Sequence, residues 1–296
     1  MKATCTELQN FELNRESLAN LIRQELPSLL WTLRSDVEEA LHNAYESEQN
    51  ERARSMLEML IENACIAKES HKPLCQDTGT VRVMVEVGKR CAAVPADLFS
   101  DVDDAVAEVY IEHFGRKSVL KNAILERVNT NNNTPAFCEL SFIDGNKTYV
   151  HLMLKGGGSD NASRVVMLPP GAGVEGVKKT VLEAISEKAA SACPPVIVGV
   201  GVGSTFDAVP RLAKHALLRD VGSVNDNPEL AALEEELCAS ANELGIGPGG
   251  FGGNSTALAI HLETSACHIA ALPVAVNICC SAMRSASFVF GDEADG

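Results

Sequence analysis

The apolar positions in the first quarter of the chain recur at the spacing of an α-helix, which predicts three amphipathic helices. Ser35 and Glu38 form a capping-box pattern at the start of the second helix. Pro73 ends the third, because proline lacks an N–H and disfavours helical geometry at the preceding residue. The apolar positions are Leu18, Leu21, Ile22 and Leu26; Val37, Leu41 and Tyr45; and Ala53, Met56, Leu57, Leu60, Ile61 and Ala64.

After Gly79 the apolar spacing changes from helical to alternating. Val81, Val83, Val85 and Val87 are separated by single residues, most of them polar. A period of two is typical of a half-buried β-strand. The polar stretch 72–80 therefore lies at a junction between a helix and a strand, and loops at such junctions often present functional groups.

The middle of the chain carries further turn and strand signals. Pro95 is predicted to begin a helix, because its fixed φ suits the first helical position. Residues 137–143 and 148–154 flank Asp144-Gly145, a pattern typical of a β-hairpin. The continuous apolar run 196–203 predicts a fully buried strand.

These patterns predict a mixed α/β (α+β) fold. A helical N-terminal region, about 14–70, is expected to pack on a mixed-sheet body, about 71–290, whose last part is strand-like from Ala257 to Phe290. The sequence contains no internal repeat and no obvious linker. We therefore expect residues 1–296 to form a single domain.

The net charge and the low aromatic content exclude some classes of binding partner. The 296 residues carry a net charge of −15 and only 4% are aromatic, which argues against nucleic acid, anionic membranes and stacked bases as partners. No apolar run reaches the roughly 18–20 residues that span a bilayer. The N-terminus lacks the apolar core of a signal peptide. We expect a cytoplasmic protein, and a small anionic substrate stays compatible with its charge.

The chain has ten cysteines and no Cys-x-x-Cys pair. In such a chain, reduced thiols or metal ligands from distant positions are expected rather than a disulfide framework. Cys75 and Cys193 each lie at a helix-to-strand junction, and Cys279-Cys280 is a vicinal pair in an apolar segment. A buried cysteine in a capped turn is the plain structural alternative at Cys75.

Other candidate groups allow two interpretations each. Lys-Gly-Gly-Gly-Ser at 155–159 follows a predicted strand, so its backbone either approaches a ligand or forms a flexible loop. The glycine-rich segment 245–255 lacks the features of a nucleotide loop and is better explained as a close-approach loop lining a site. Arg116 either binds a carboxylate or ends a solvated helix. His261 and His268 are either core residues or functional groups.

Three of these stretches together resemble the motifs of a known family. They are Cys-Gln-Asp-Thr-Gly at 75–79, Lys-Gly-Gly-Gly-Ser at 155–159 and Gly-Ile-Gly-Pro-Gly-Gly-Phe-Gly-Gly-Asn-Ser at 245–255. The resemblance is to the alpha part of the iron–sulfur hydro-lyases of the class I fumarase and L-tartrate dehydratase type, and it covers almost the whole chain. It implies the alpha-type fold of those enzymes. Lys-Gly-Gly-Gly-Ser favours the fumarase type.

The resemblance implies a 4Fe–4S cluster that is held by three cysteines and leaves one iron open. Carried over, the ligands are Cys75, Cys193 and Cys280, with Cys279 as the fallback for the third. The family segment, roughly Gly-Cys-Trp-Ala-x-Arg-Arg, reads Ile-Cys-Cys-Ser-Ala-Met-Arg here. The tryptophan and the second arginine are missing, while the alanine and the remaining arginine favour Cys280.

The resemblance also implies roles for other residues. In the family a threonine of the beta part acts with the aspartate of the first motif, which is Asp77 here, and the beta part adds further cations. Because this chain shows no beta region, a separate beta subunit is expected to complete the active site in a hetero-oligomer. The remaining implied site residues are Gln76, Arg116, Gly157 and Gly158 as substrate contacts, and His268 as a second catalytic residue.

The implied activity is the reversible hydration of fumarate to L-malate, a reaction of the tricarboxylic acid cycle. Dehydration of L-tartrate or another 2-hydroxy-dicarboxylate is the alternative within the same class. A non-catalytic iron–sulfur or zinc sensor is the alternative from a different class. Asp77 and Arg116 argue against the sensor, because binding a cluster requires neither of them.

Overall fold

The protein is described from a computed structural model, in which residues 3–9, 11–91 and 93–291 are described. The mixed α/β fold predicted from the sequence is confirmed. The α-helices are α1 (Arg15–Trp31), α2 (Ser35–Ser47), α3 (Glu51–Ser70), α4 (Val102–Glu112), α5 (Gly157–Asp160), α6 (Gly173–Lys188), α7 (Val209–Ala216) and α8 (Pro228–Glu243). The strands are β1 (Cys5–Glu7), β2 (Thr80–Gly88), β3 (Phe137–Ile143), β4 (Thr148–Lys155), β5 (Arg164–Leu168), β6 (Val196–Ser204), β7 (Ala257–Cys267), β8 (Leu272–Cys279) and β9 (Arg284–Phe290).

The chain divides into two compact units. The Cys75 unit contains Thr4–Arg34, Ala64–Gly156 and strand β9, and the Cys193 unit contains Ser35–Asn63 and Gly157–Met283. This division assigns α1 to one unit and α2 to the other, so it runs through the predicted helical region 14–70. The single domain over 1–296 stays a prediction.

The Cys75 unit is built on a mixed sheet with the strand order β1-β9-β4-β2-β3. The predicted alternation of β2 is confirmed, because its four valines are buried. They belong to one apolar core with the buried faces of α1 and α4. Burying each such side chain stabilises the fold by about 1.5–3 kcal/mol. Members of this core are Leu18, Ile22, Leu26, Val83, Val85, Val106 and Leu152.

Two predictions for this unit are wrong. Pro95 accepts a bond from the N–H of Leu98 and begins a turn, and α4 begins only at Val102, where two aspartates in the first turn complement the helix dipole. The strands β3 and β4 do not form a hairpin. Both pair with β2, β3 parallel to it and β4 antiparallel, so that β2 lies between them.

The connection between β3 and β4 explains the missing hairpin. It crosses the end of β2, where the N–H groups of Gly88 and Arg90 donate to the carbonyls of Lys147 and Gly145, each at 3.0 Å. Asp-Gly turns the chain as predicted, but a turn signal does not reveal whether a third strand lies between the two that it connects.

The Cys193 unit is built on a sheet with the order β5-β8-β6-β7, in which β6 is parallel to β7 and antiparallel to β8. The prediction of a buried strand is confirmed for β6. Its valines pack with α6 and α8. Gly199 and Gly201 face α7, because a Cβ on Gly199 would come 2.0 Å from the carbonyl oxygen of Ala213 and one on Gly201 would come 2.6 Å from that of Val209. The alternation of valine and glycine therefore fits two different neighbours.

Candidate active site

The first candidate motif lies in the loop between α3 and β2 of the Cys75 unit. The N–H of Leu74 donates to the carbonyl of Leu30 at 2.8 Å, which fixes this loop to the end of α1. Cys75 and Asp77 are partly exposed, Gln76 is exposed and Thr78 is buried. The thiol, the amide and the carboxylate are thus on the accessible part of a loop that is anchored on both sides.

The first two motifs are in contact within this unit. Asp77 accepts the N–H of Gly79 at 3.0 Å through Oδ1. A Cβ on Gly156 would lie 3.5 Å from Oδ2 of Asp77, and a Cβ on Gly79 would lie 2.7 Å from the carbonyl carbon of Lys155. Gly79 also has a φ of +84°. Only glycine fits this close crossing of the two motifs without strain.

Buried side chains hold the backbone of the first motif. The hydroxyl of Tyr110 donates to the carbonyls of Thr78 at 3.2 Å and Gly79 at 2.9 Å. Asn133 donates to the same carbonyl of Gly79 at 3.0 Å. Desolvation by burial raises the pKa of Tyr110, so its phenol keeps the proton that it donates. Sequence analysis missed the role of Tyr110, because a tyrosine on an apolar helix face looks like an ordinary core residue.

Arg284, the last arginine in the sequence, also contacts the backbone of the first motif. Arg284 is 1% exposed, and its Nη2 donates to the carbonyl of Asp77 at 3.1 Å. It lies at the start of β9, in the segment that carries the family's arginine. Its observed contact is with the main chain of the aspartate, and a guanidinium can hold such a carbonyl while keeping its charge.

Arg116 is connected to the first motif through its backbone. The hydroxyl of Thr78 donates to the carbonyl of Arg116 at 3.1 Å, and the side chain of Arg116 is exposed. The structure therefore brings Asp77 and Arg116 to positions on either side of one buried threonine. A guanidinium and a carboxylate that share such an anchor have the chemistry to bind a substrate carboxylate and to accept a proton.

The second candidate cysteine follows α6 and a short 3-10 turn in the Cys193 unit. Cys193 is exposed and has a φ of +53°, and Pro195 follows a cis peptide bond. The N–H of Ser281 donates to the carbonyl of Cys193 at 3.1 Å, and the N–H of Gly249 donates to the carbonyl of Pro194 at 2.8 Å. Main-chain bonds from two other segments thus hold this junction.

The bond from Ser281 also connects Cys193 with the third candidate cysteine, since Ser281 directly follows Cys280. Cys279 is the last residue of β8 and is only 2% exposed, whereas Cys280 lies beyond the strand and is partly exposed. Two accessible thiol-bearing residues therefore lie on adjacent backbone segments. This arrangement fits thiolate ligation of iron by Cys193 and Cys280, and it fits Cys279 less well.

The glycine-rich segment 245–255 packs beside Cys193 and contains no helix longer than the 3-10 turn Pro248–Gly250. Gly247 has a φ of +67°, and a Cβ there would come 1.7 Å from the carbonyl oxygen of Gly252. The N–H of Gly247 donates to the hydroxyl of Thr256 at 3.1 Å. The interpretation of this segment as a close-approach loop agrees with this geometry.

A buried carboxylate organises the same loop. Glu48, which is 2% exposed, accepts the N–H of Asn254 at 2.8 Å and the N–H groups of Gln49 and Asn50 at 2.9 Å each. Its two carboxylate oxygens thus join the loop to the residues that follow α2. Sequence analysis missed Glu48, because nothing distinguishes it from the exposed glutamates nearby.

The remaining residues implied by the resemblance lie at two different ends of the Cys193 unit. Gly157 and Gly158 begin α5 and are exposed, and a Cβ on Gly158 would lie 4.0 Å from the carbonyl of Ser191, close to Cys193 in sequence. His268 is exposed in the turn after β7, where its Nδ1 accepts the N–H of Ala270 at 3.1 Å.

The position of His268 is separated from the cysteines by the length of the sheet. Cys193 precedes β6 and Cys280 follows the antiparallel β8, so both lie at the same end. His268 follows β7, which runs parallel to β6, and it therefore lies at the opposite end. Strand β6 separates the two ends by roughly 25 Å at about 3.3 Å per residue. The structure does not bring His268 to the two cysteines of its own unit.

Within residues 3–9, 11–91 and 93–291, no three or more His, Cys, Asp and Glu side chains are grouped so that they could hold a metal ion. The same part of the chain contains no helix long and apolar enough to cross a bilayer. Cys65, Cys138, Cys193 and Cys267 are exposed, Cys279 is buried, and the other five cysteines are partly exposed.

The structure is that of a mixed α/β protein with cysteine-bearing loops before β2 and β6 and with two glycine-rich segments, 155–159 and 245–255. The family model described as Fumarate hydratase (Fumerase) matches residues 19–289. The chain therefore belongs to the fumarate hydratase (Fumerase) family, a family of hydro-lyases, and the resemblance predicted from the motifs is confirmed.

Curated relatives agree with this family. The chain is 39% identical over 259 residues to the putative L(+)-tartrate dehydratase subunit alpha of Methanocaldococcus jannaschii, covering 86% of this chain and 90% of that protein. It is 35% identical over 253 residues to the L(+)-tartrate dehydratase subunit alpha of Escherichia coli O157:H7, covering 84% and 82%. The corresponding subunit of Escherichia coli K12 is 34% identical over the same length.

Proposed function

We propose that this chain is the alpha subunit of an iron–sulfur hydro-lyase that hydrates fumarate reversibly to L-malate, acting in the cytoplasm and within the tricarboxylic acid cycle. The observation that carries this proposal is the joint anchoring of Asp77 and Arg116 through Thr78, beside the second motif at Gly156. A proton acceptor and a carboxylate-binding cation are what hydration of a dicarboxylate requires from the protein.

The proposed cofactor is a 4Fe–4S cluster that Cys75, Cys193 and Cys280 would hold. The donor set is suitable in kind, because thiolates are the usual ligands of such clusters and all three cysteines are partly or fully exposed. The bond from Ser281 also connects the segments of Cys193 and Cys280. When bound, such a cluster with an open iron supplies Lewis-acid chemistry toward the substrate's hydroxyl and carboxylate.

The chain's own residues have separate proposed tasks. Asp77 takes up or delivers a proton at Oδ2, while the N–H of Gly79 holds Oδ1 and Arg284 fixes the main chain behind it. The exposed guanidinium of Arg116 binds the far carboxylate of the substrate in two-point geometry. Gln76 and the exposed backbone of Gly157 and Gly158 are further proposed substrate contacts.

A beta subunit is the proposed partner that completes the active site. The support is twofold: the curated relatives are named alpha subunits, and the proton on the carbon beside a carboxylate is only weakly acidic. Removing such a proton requires a second placed group in addition to Asp77. The family supplies it as a threonine of the beta part, together with additional cations.

Dehydration of L-tartrate or a related 2-hydroxy-dicarboxylate is the second candidate. The names of the curated relatives favour it, since two are named L(+)-tartrate dehydratase subunit alpha and the third carries the same name with the prefix putative. The two substrates share the four-carbon dicarboxylate skeleton, so Arg116 suits both. Lys-Gly-Gly-Gly-Ser at 155–159 is the sequence feature that favours fumarate.

The test is an anaerobic reconstitution of the full chain with iron and sulfide, followed by assays of fumarate and L-tartrate with and without the cognate beta subunit. We expect roughly four iron and four sulfide per chain, as the 4Fe–4S composition requires, with fumarate hydration only when beta is present. Asp77→Asn should keep the cluster and lose the activity. Turnover of tartrate alone would replace the substrate proposal, and zinc without sulfide would remove the catalytic one in favour of the sensor.

The proposed role of His268 carries a geometric condition. The length of β6, roughly 25 Å, prevents His268 from contacting a substrate bound at Cys193 and Cys280 of its own unit. A catalytic His268 must therefore act in the active site of a second copy. Mixed oligomers of His268→Ala and Cys193→Ser chains should then recover an activity that neither variant has alone. Full activity of His268→Ala by itself would remove the residue from the site.

A further inference from the structure

Residues 116–130, here called the arm, project from the Cys75 unit between α4 and β3. Every residue from 121 to 128 is exposed. The most exposed apolar side chains of the arm are Ile124 at 84% and Leu125 at 80%, and Val128 is 46% exposed. Isolated apolar residues on a surface are ordinary, but adjacent ones at the tip of a loop are a common feature of binding surfaces.

The arm is held in shape by its own hydrogen bonds. The N–H of Lys121 donates to the carbonyl of Val128 at 2.8 Å, and the N–H of Thr130 donates to the carbonyl of Val119 at 2.9 Å. At the tip, Oδ1 of Asn122 accepts two main-chain N–H groups, those of Ile124 at 2.9 Å and Leu125 at 2.8 Å. The two apolar side chains are thus presented on a preformed turn, which lowers the entropy cost of binding.

The base of the arm is bonded to the first motif. Besides the bond from Thr78 to the carbonyl of Arg116, the N–H of Ser118 donates to Oδ1 of Asn133 at 2.9 Å. Nδ2 of the same Asn133 donates to the carbonyl of Gly79 at 3.0 Å. A protein that bound the tip would therefore be attached to the same structure that anchors Asp77.

The charge of the arm is opposite to that of the chain. The arm contains four cationic side chains and one acidic side chain, whereas the whole chain has a net charge of −15. A two-fold dimer through this surface would bring identical cationic arms together, which is unfavourable. The cationic side chains are Arg116, Lys117, Lys121 and Arg127, and the acidic one is Glu126.

We infer that the arm is the docking element for the beta subunit, and that the beta subunit receives Ile124 and Leu125 in an apolar pocket with an acidic rim. The inference rests on the proposed function only in taking the beta subunit as the partner. Two adjacent, preorganised apolar side chains provide the anchor, and the surrounding cations provide orientation and a faster association.

The experiment measures binding of the reconstituted full chain to the separately purified cognate beta subunit by calorimetry, without substrate. The test variant is Ile124→Ser with Leu125→Ser. The matched control is Val174→Ser with Phe206→Ser, which removes two apolar side chains that are 56% and 66% exposed in the other unit. We expect Kd to rise roughly 100-fold for the test variant, as for the loss of two anchor residues, and to stay within a factor of two for the control.

A variant with reversed charges provides the second part of the experiment. Lys121→Glu with Arg127→Glu should slow association and reverse the salt dependence of the association rate, because opposite charges no longer steer the two proteins. Iron and sulfide contents and the melting temperature should match the unmodified chain in every variant, which separates lost docking from lost folding.

Three outcomes are decisive. An unchanged Kd for the Ile124→Ser and Leu125→Ser variant overturns the inference. If that variant instead lowers the self-association of the chain in sedimentation while its affinity for beta is unchanged, the arm contacts a second copy and the inference is also wrong. If docking is lost as expected but the unmodified complex hydrates neither fumarate nor tartrate, the docking element stands and the proposed function fails.

Discussion

Two helix-to-strand junctions carry candidate cluster ligands, and they are built in different ways. At the junction before β2, which carries Cys75, side chains hold the main chain: Tyr110, Asn133 and Arg284 all donate to carbonyls of 77–79. At the junction before β6, which carries Cys193, main-chain N–H groups of other loops donate to main-chain carbonyls. One of these donors is Gly249, in the loop 245–255 where glycines let main chains approach closely.

Because the two junctions are held differently, different substitutions should destabilise them. Removing a donor from a buried side chain leaves carbonyls unsatisfied and costs about 1–3 kcal/mol. Adding a methyl group where two main chains nearly touch forces the backbone apart, which costs a similar or larger amount. The junction before β2 should therefore be sensitive to loss of side-chain atoms, and the junction before β6 to their addition.

The largest effect should come from the cysteines, where the two junctions ought to behave alike. Cys75→Ser, Cys193→Ser and Cys280→Ser should each abolish the activity of the complex with beta, and iron per chain should fall, because thiolates are the proposed ligands. Cys279→Ala is the matched control, since Cys279 is buried in β8. Iron analysis and the fumarate assay measure the effect. Loss of iron in Cys279→Ala with iron retained in Cys280→Ser would exchange the two assignments.

A pair of glycines separates close approach from backbone strain at the second junction. Gly245 and Gly247 have φ values of +65° and +67°, but a Cβ has no neighbour within 4 Å at Gly245 and would be 1.7 Å from the carbonyl oxygen of Gly252 at Gly247. We expect Gly245→Ala to lower the free energy of unfolding by about 1–2 kcal/mol, and Gly247→Ala by about 2–3 kcal/mol more. Denaturant titration measures both. Equal losses would mean that the loop yields and that the close approach is not needed.

Tyr110→Phe tests the first junction. Loss of the hydroxyl removes the bond to Thr78 and one of the two side-chain bonds to Gly79, so stability should fall by about 1–2 kcal/mol. Activity should fall further, because the backbone behind Asp77 loses its support. Tyr45→Phe on α2 is the control and should change neither quantity. Full activity of Tyr110→Phe would show that Asn133 and Arg284 suffice to hold the main chain of 77–79.

The smallest effect is expected at Glu48, a buried side chain that holds the loop beside the second junction. Glu48→Gln keeps one acceptor oxygen but turns an amide donor toward main-chain N–H groups, so we expect a loss of about 1 kcal/mol. Glu46→Gln, an exposed neighbour, should stay within about 0.5 kcal/mol of the unmodified chain. Thermal melting compares the two variants with the unmodified chain. A loss at Glu48 equal to that at Glu46 would show that the carboxylate of Glu48 is not needed to hold the loop.

Much of the fold could be predicted from local pattern. The helical face of α1, the alternation of β2 and the continuous apolar run of β6 each follow from residues that are close in sequence. Two failures have a common physical cause. A proline signal fixes one φ without fixing where a helix begins, and Asp-Gly marks a reversal without excluding a strand between β3 and β4. Strand pairing depends on contacts that no local window contains.

The candidate site, like the fold, could be predicted only in part from the sequence. The motifs at 75–79, 155–159 and 245–255 are visible in the sequence, and the family match over residues 19–289 agrees with them. The roles of Tyr110 and Glu48 could not be predicted. In the sequence, Tyr110 looks like an ordinary core tyrosine and Glu48 looks like an ordinary surface glutamate. Their partners are recognised only once the chain has brought the loops to them.

The sequence by itself determined many of the elements, because periodicity and turn chemistry act over a few residues, and its three motifs carried the resemblance to the family. The tertiary structure decided what those motifs contact. Arg284 reaches the carbonyl of Asp77 across 207 residues of chain, and β2 lies between the two strands that a turn signal would join. The same structure buries Cys279 and exposes Cys280, which no property of two adjacent cysteines could distinguish. Such contacts depend on how segments distant in sequence satisfy each other's hydrogen bonds and bury each other's apolar surface.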